Sequence, residues 1–164
     1  MQHSQSLLRE YIDSPVSVLA VTGQDSDLRA LRSISINTQW RLYEADSISG
    51  AMQAIATQGI GVVITDRELP DGTWVDFLEC VRTRRNGPRL IVYSPVADTR
   101  FWADVLSMGG YDVLASPFCR EEVLRVAYIG WRSWSRASRV TPAFDKRNVP
   151  FGLLQDLSRS AKAN

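Results

Sequence analysis

The sequence predicts an α/β fold in which a doubly wound sheet of five parallel strands carries helices on both faces. Short runs of β-branched and aromatic residues alternate five times with segments of helical periodicity. Short turn-forming connections separate the two kinds of segment, as crossovers between parallel strands require. The chain has 164 residues, 45% of them hydrophobic, so one domain of ordinary size is expected.

Each predicted strand is a short apolar run bounded by polar or turn-forming residues. The five strands are predicted at residues 16–22, 40–44, 61–65, 89–93 and 111–115. The third run, GVVIT, is the most apolar. This composition is typical of a central strand that helices cover on both faces.

Five amphipathic helices are predicted between and after these strands. They span residues 25–36, 47–59, 74–84, 98–108 and 121–136. In the last helix Tyr128, Trp131 and Trp134 recur every three to four residues and predict an aromatic stripe. We expect residues 151–157 or a second copy of the chain to cover this stripe, because a small domain cannot cover it fully.

The charge distribution divides the chain into an acidic body and a basic tail. Residues 1–15 are predicted to be an N-terminal extension, 16–137 the main domain and 138–164 a basic C-terminal extension. The formal charge is −4 for residues 1–130 and +5 for residues 131–164. The run 131–139 interleaves tryptophan with arginine, which predicts either a packed helix end or a contact strip for an acidic partner or nucleic acid. The total charge of +1 gives no general reason to expect nucleic acid or a membrane as partner.

Several classes of site are excluded by residue counts. The two cysteines, Cys80 and Cys119, form no CxxC motif, so neither a disulfide scaffold nor a structural zinc site is expected. The only histidine is His3, which removes histidine-dependent catalytic triads from consideration. Neither GxGxxG nor GxxxxGK[ST] occurs, so a nucleotide-binding enzyme finds no support, and we expect no enzyme. No segment resembles a membrane span or a signal peptide, and we expect a cytoplasmic protein.

The residues that follow the predicted strands are the candidate site, because loops at the carboxyl ends of parallel strands converge. The string VVITDRELPDGTWVDFLECVR resembles the middle of response-regulator receiver domains from two-component signalling, in which Pro and Gly follow a strand-terminal Asp at the spacing of Asp66, Pro70 and Gly72. IVYSP, with Ser94, resembles the fourth strand of that family. GGYDVLASPF resembles its fifth strand. The resemblance covers residues 16–130 and implies the flavodoxin-like fold of receivers.

The resemblance implies a phosphoryl-transfer site on a carboxylate. Asp66 stands at the place of the phosphoacceptor, and Ser94 at that of the hydroxyl that responds to it. In the family, Mg²⁺ held by neighbouring carboxylates neutralises the crowded oxygens, and a lysine pairs with the acyl phosphate. The residues at the corresponding positions of this sequence can be compared with these groups one by one.

The sequence departs from the family at the other positions of that site. Gly23 and Gln24 occupy the places of the family's acidic pair, and Ser116 occupies the place of the lysine. Residues 1–130 contain no lysine at all. Val113 stands at the position of the aromatic switch residue.

A weakened metal site is one consequence of these departures. Asp66, Glu68 and Asp25 are the carboxylates that could hold a weakly bound Mg²⁺, and Arg67 could place a positive charge near Asp66. We expect no cofactor, and Mg²⁺ only if phosphorylation is retained, because this hard cation requires several oxygen ligands.

Two hypotheses about function follow. In the first, the protein is an atypical receiver that acts independently of phosphorylation and binds a protein partner, such as a histidine kinase, another signalling protein or a second copy. Its interface would be formed by the fourth helix, fifth strand and fifth helix, as the resemblance implies. In the second, it is a working receiver, phosphorylated on Asp66, with an altered metal site. No helix-turn-helix pattern follows, so no DNA-binding output domain is expected.

Overall fold

A computed structural model describes residues 2–140, and side chains within residues 4–139. The helices are α1 (Gln2–Asp13), α2 (Asp25–Ser35), α3 (Ile48–Thr57), α4 (Trp74–Arg82), α5 (Thr99–Met108) and α6 (Arg120–Val140). The strands are β1 (Ser17–Val21), β2 (Arg41–Ala45), β3 (Val62–Asp66), β4 (Glu68–Leu69), β5 (Gly72–Thr73), β6 (Arg89–Ser94) and β7 (Asp112–Ala115).

Five parallel strands form the main sheet in the order β2-β1-β3-β6-β7. This arrangement confirms the predicted doubly wound fold, and every predicted strand lies within one residue of the observed one. The prediction that GVVIT is central is confirmed, because β3 pairs with β1 on one side and with β6 on the other. A separate two-stranded hairpin, β4 with β5, was not predicted.

Each face of the sheet carries its own hydrophobic core. On one face, side chains from α3, α4 and α5 pack together, with Phe77 and Val105 fully buried. On the other face, α2 and α6 supply Leu31, Val123 and Leu124, and α1 packs partly buried side chains against them. Burial of these apolar groups on both faces supplies the main stabilisation of the domain.

Residues that the sequence marked as an N-terminal extension contain α1, which lies against α6. The rings of Tyr11 and Tyr128 are 5.1 Å apart between centroids, and the Tyr128 hydroxyl donates to Glu10. The Trp40 indole N–H donates to the carbonyl of Tyr11 at 3.3 Å. Residues 2–13 therefore complete one face of the sheet.

The body of the domain covers part of the aromatic stripe of α6. Tyr128 is buried beneath α1, and Trp134 donates its indole N–H to the carbonyl of Asn86 at 3.0 Å. A methyl group at Gly61 would meet both Trp131 and Trp134 within 3 Å, so these rings lie on the backbone of the sheet. Trp131 and Trp134 are half-buried, so part of the stripe is left for another segment or a second copy, as predicted. The predicted segment 151–157 lies outside the described residues.

Side chains and a glycine cap several helix ends. Ser47 accepts a hydrogen bond from the backbone N–H of Gly50 at the start of α3, and Asp98 accepts one from Phe101 at the start of α5. Gly109 ends α5 in the left-handed conformation at φ 100°. The helix α6 continues to Val140, four residues beyond its predicted end. Among the described residues no helix is long and apolar enough to span a membrane.

Candidate functional site

Asp66 is the last residue of β3, at the carboxyl edge of the sheet. Its register partner on β6 is Tyr93, and its side chain is half-buried. Ser94 follows Tyr93 and is 3% exposed, and its hydroxyl oxygen accepts a hydrogen bond from the N–H of Val96 at 3.1 Å. The sheet therefore brings the predicted acceptor and hydroxyl positions to one edge, on neighbouring strands.

Ser116 reaches the same edge from β7. Its backbone N–H donates to the carbonyl of Ser94 at 3.1 Å, and the peptide bond to Pro117 is cis. The ring of Phe118 then packs edge-on against Tyr93, with centroids 4.9 Å apart. The residue at the lysine position of the family thus contributes a short hydroxyl and no positive charge.

The three predicted metal ligands lie on different parts of this edge. Asp25 is exposed in the first turn of α2, Glu68 is exposed in the β4–β5 hairpin, and only Asp66 is half-buried. The part of the chain that the structure describes contains no group of three or more His, Cys, Asp or Glu that could hold a metal ion. These side chains therefore do not fit the Mg²⁺ that the receiver family uses, because they supply too few converging oxygens.

A buried hydrogen-bond network, which the sequence did not predict, ties the site together. The Tyr93 hydroxyl lies 2.8 Å from Thr22 Oγ1 and 2.9 Å from the carboxylate of Asp27. Thr22 Oγ1 also accepts the N–H of Gln24 at 3.0 Å. The network holds the β1–α2 loop, where the family's acidic pair would stand, against the end of β6.

Electrostatics keep this phenol neutral. Burial raises the pKa of Tyr93 well above its ordinary value, and the hydrogen bond to Asp27 and the negative charge of Asp66 add to the increase. A neutral hydroxyl near Asp66 can donate a hydrogen bond. It cannot offset negative charge as a lysine ammonium does. The sequence does not predict the contact between Tyr93 and Asp27, because the two residues are 66 positions apart. The only indication in the sequence is that an apolar strand ends in a side chain with a hydroxyl group.

The loop after Asp66 is held by its own contacts. The Arg67 guanidinium lies 4.9 Å above the centroid of the Phe101 ring, and the Arg67 carbonyl accepts the N–H of Trp74 at 3.0 Å. The Trp74 and Phe101 rings meet edge to face at 6.2 Å. The predicted positive charge of Arg67 is thus engaged with α5.

Asp71 links the same loop to α3. Its two carboxylate oxygens accept the backbone N–H groups of Ile48 and Ser49 at 2.8 and 2.9 Å. These bonds hold the pKa of Asp71 below its ordinary value. Gly72 follows with φ 155°, and a methyl group there would come within 2.9 Å of Ile48 Cδ1. Asp71 and Gly72 therefore hold this loop against α3.

Comparison with known proteins places this arrangement among signalling proteins. No protein-family model matches the chain. It is 33% identical over 103 residues to the transcriptional regulatory protein KdpE of Mycobacterium tuberculosis, and 30% identical over 114 residues to the KDP operon transcriptional regulatory protein KdpE of Escherichia coli. These matches cover 61% and 68% of the chain but only 45% and 50% of the relatives' length. The acid tolerance regulatory protein ActR of Rhizobium meliloti is 24% identical over 75% of the chain and 63% of its own length.

Solved structures of receiver domains share the fold. The signal receiver domain of an HD domain-containing protein from Pseudomonas fluorescens superposes with a TM-score of 0.69 at 19% identity, over 77% of this chain and 93% of that chain. The chemotaxis response regulator CheY4 of Vibrio cholerae superposes with a TM-score of 0.64 at 18% identity, over 71% and 99%. The doubly wound sheet of this chain is therefore the fold that these receiver domains have.

Proposed function

The chain belongs to the receiver-domain family of response regulators, which serve two-component signalling, and on that premise we propose that it acts independently of phosphorylation as a cytoplasmic protein-interaction module. The residues around Asp66 carry the proposal. Gly23, Gln24 and Ser116 stand where the family has its acidic pair and lysine, and the described residues hold no metal-binding cluster near Asp66.

The energetic argument concerns the cost of the phosphorylated state. An acyl phosphate on Asp66 would add negative charge to a site that already holds the carboxylate of Asp27. The Tyr93 phenol in that site is neutral and cannot offset the added charge. Without a divalent cation or a lysine, nothing favours a phosphorylated conformation over the unmodified one. A modification that stabilises both states equally shifts no equilibrium.

The interaction face of the proposal consists of α5, β7 and the start of α6. Trp102 on α5 is 46% exposed, and its indole N–H donates to Asp112 at 3.1 Å. A cleft beside it is lined by Val113 from the sheet and by Glu122 and Arg125 from α6. An exposed indole beside charged side chains is the kind of anchor that protein interfaces use. A kinase, another signalling protein or a second copy would bind there.

A second candidate function rests on one observation. Asp66 and Ser94 keep the strand-end positions of a working receiver, on adjacent strands and at the same edge. In this alternative, Asp66 is phosphorylated with an altered metal site. Both candidates predict binding of a protein partner, and they differ in the response to phosphoryl donors.

Phosphoryl transfer to the full chain distinguishes the two. We expect acetyl phosphate with Mg²⁺ to add no phosphoryl group to the wild-type protein, as read by intact-mass spectrometry. The matched positive control is the triple variant Gly23→Asp, Gln24→Asp, Ser116→Lys, which restores the missing groups. Adding Asp66→Asn to that variant should abolish any labelling that it gains. Labelling of the wild type that Asp66→Asn removes would establish the alternative.

A metal titration provides an independent measurement. We expect no saturable change in tryptophan fluorescence with Mg²⁺ below about a millimolar, because one half-buried carboxylate cannot replace the oxygen ligands of this cation. Trp74 is a suitable reporter, since its backbone N–H binds the residue after Asp66. Saturation in the wild type that is lost in Asp66→Asn would contradict the proposal.

A further inference from the structure

Two arginine-rich segments meet at the end of the domain opposite Asp66. Residues 83–88 connect α4 to β6, at the amino edge of the sheet, and the last turns of α6 pass beside them. Trp134 donates its indole N–H to the carbonyl of Asn86, the Asn86 amide donates to the hydroxyl of Ser138, and Arg89 donates to Ser133 at 3.2 Å. These contacts join the loop and the helix into one surface.

The surface is strongly basic and carries no acid of its own. Residues 82–89 and 131–140 together contain seven arginines and no aspartate or glutamate. Arg82 pairs with Glu79, and Arg132 lies beside Tyr128, which binds Glu10. The other five we call the arginine surface: Arg84, Arg85, Arg89, Arg136 and Arg139. None of the five forms an ion pair with a described residue.

Two clefts follow the loop, and neither is lined by a carboxylate. One, of about 500 Å³, is lined by Arg84, Arg85 and Trp134, together with residues of α3. The other, of about 420 Å³, lies on the far side of the loop and includes Arg84 and Arg89. Arg84, Arg85 and Arg89 of the arginine surface therefore line two concave sites whose described lining supplies no negative charge.

The absence of an apolar centre indicates what kind of partner fits. The large hydrophobic side chains exposed in the described part of the chain are Leu7, Ile36, Val96, Trp102, Met108 and Ile129, and none belongs to residues 82–89 or 131–139. Protein interfaces contain an apolar core, whereas contacts to nucleic-acid backbones are dominated by charge and release of counterions. Arginine in particular binds phosphate oxygens through two parallel N–H groups.

We propose that the arginine surface binds the phosphate backbone of nucleic acid without sequence preference. The overall charge of the chain gave no reason to expect such a partner. The structure changes that expectation because it concentrates positive charge at one edge of the sheet and leaves the acidic groups near Asp66 at the other. This inference does not depend on the proposed function of the Asp66 site.

The test measures binding of the full chain to fluorescein-labelled DNA of about 20 nucleotides, single-stranded and duplex, by fluorescence anisotropy. We expect binding of both forms in low salt. If five phosphate contacts form, the Kd for the single strand should rise about a hundredfold between about 50 and about 200 mM salt. No binding of either DNA in low salt overturns the proposal.

Charge-neutral variants locate the site. Arg84→Gln with Arg85→Gln, and separately Arg136→Gln with Arg139→Gln, should each raise the Kd about tenfold in low salt. Arg29→Gln with Arg100→Gln removes the same charge from exposed positions on α2 and α5 and should change the Kd less than threefold. Equal losses for all three pairs would mean that only net charge matters. Unchanged binding in both surface pairs would place the contact elsewhere in the chain. Either result overturns the proposal.

Two competitors test whether the arginine surface prefers another kind of polyanion to DNA. Poly-L-glutamate and vesicles containing phosphatidylserine should displace the DNA only at a large excess of charge. Displacement at equal charge by either one would reassign the surface to an acidic protein or to a membrane, and would contradict the nucleic-acid proposal. Thermal melting of each variant verifies that the fold is intact before binding is compared.

Discussion

The hydroxyl of Tyr93, on β6, contacts Thr22 at the end of β1 and Asp27 in the first turn of α2. It is held between Thr22 and Asp27, while Phe118 packs on its ring. Tyr93 is 1% exposed, so its polar tip had to find partners within the protein. This single side chain orders the loop that in other receivers binds a metal ion.

Replacing Tyr93 with phenylalanine removes two hydrogen bonds from a buried position. We expect a loss of about 1–3 kcal/mol in the free energy of unfolding, because Thr22 and Asp27 lose their shared partner. Urea denaturation measures this value. Tyr43→Phe is the matched control, since the Tyr43 hydroxyl bonds to no described residue, and it should stay within about 0.5 kcal/mol of the wild type. Equal values for both variants would show that the network contributes nothing.

The same residue predicts a pH dependence of stability in alkaline solution. The pKa of Tyr93 is raised in the folded protein, chiefly by burial, so the folded state favours the neutral phenol. The resulting stabilisation is complete below about pH 10, the ordinary tyrosine pKa, and is lost as the pH rises further. We expect the wild type to lose stability more steeply than Tyr93→Phe above that pH. If the stability of the two proteins fell equally with pH, the raised pKa of Tyr93 would be contradicted.

At the scale of elements, helix ends and helix faces set the geometry of the site. The carboxylate of Asp71 caps α3 from a distant loop, and Thr73 forms a capping box with Asp76 at the start of α4. On the other face of the sheet, α6 presses Trp131 and Trp134 onto Gly61. Each contact positions a whole helix relative to the sheet.

Asp71→Asn should lower the melting temperature by about 2–4 °C at neutral pH, as expected for the weakening of one helix cap. The pKa of Asp71 is lowered by the N–H groups of Ser49 and Ile48, so the carboxylate stabilises the folded state above its unfolded pKa, near pH 4. This contribution disappears as the pH falls below that value. Melting curves of the wild type and Asp71→Asn should therefore converge in acid; a constant difference would argue against capping by the charged form.

Gly61→Ala tests the packing of α6. The added methyl group would lie 2.6 Å from the ring of Trp134, and we expect a loss of about 1–3 kcal/mol from overpacking. Gly59→Ala is the control two residues earlier, where a methyl group meets nothing within 4 Å. Denaturant titrations of the two variants should differ clearly. Equal stability of the two variants would mean that Trp131 and Trp134 can move away from the added methyl group with no loss in the free energy of unfolding.

At the scale of the whole molecule, the three surfaces for which we propose a function occupy separate ends and faces of one sheet. The carboxyl edge carries Asp66, the amino edge carries the arginine surface, and the face formed by α5, β7 and α6 carries Trp102. Because these surfaces lie at different edges and faces of the sheet, variants on one surface should leave the others intact.

Self-association is the simplest partner hypothesis for the Trp102 face. If a second copy binds there, light scattering at increasing protein concentration should show a dimer, and Trp102→Ala should weaken it at least tenfold, as loss of a central indole does. Met108→Ala, on the same helix and 38% exposed, should leave the dimer unchanged. A wild type that stays monomeric would assign the face to a different protein.

The order of strands and helices and the positions of Asp66, Ser94 and Ser116 could be predicted from the sequence, because apolar periodicity and turn chemistry depend on neighbours a few residues apart. The packing of α1 could not be predicted from the sequence, because its apolar residues form only a narrow stripe within a polar segment. The structure shows that this stripe packs against Tyr128 of α6. The β4–β5 hairpin escaped prediction because strands of two residues carry no periodicity.

The sequence by itself determined the fold class, the family resemblance and the absence of the acidic pair and the lysine, all of which are properties of residue type and local spacing. Only the tertiary structure decided that Tyr93 binds Asp27, that Trp131 and Trp134 of α6 pack on Gly61, and that two arginine-rich segments form one surface. Those three features join residues at least 44 positions apart. Such contacts depend on how complete elements pack, which no local pattern encodes.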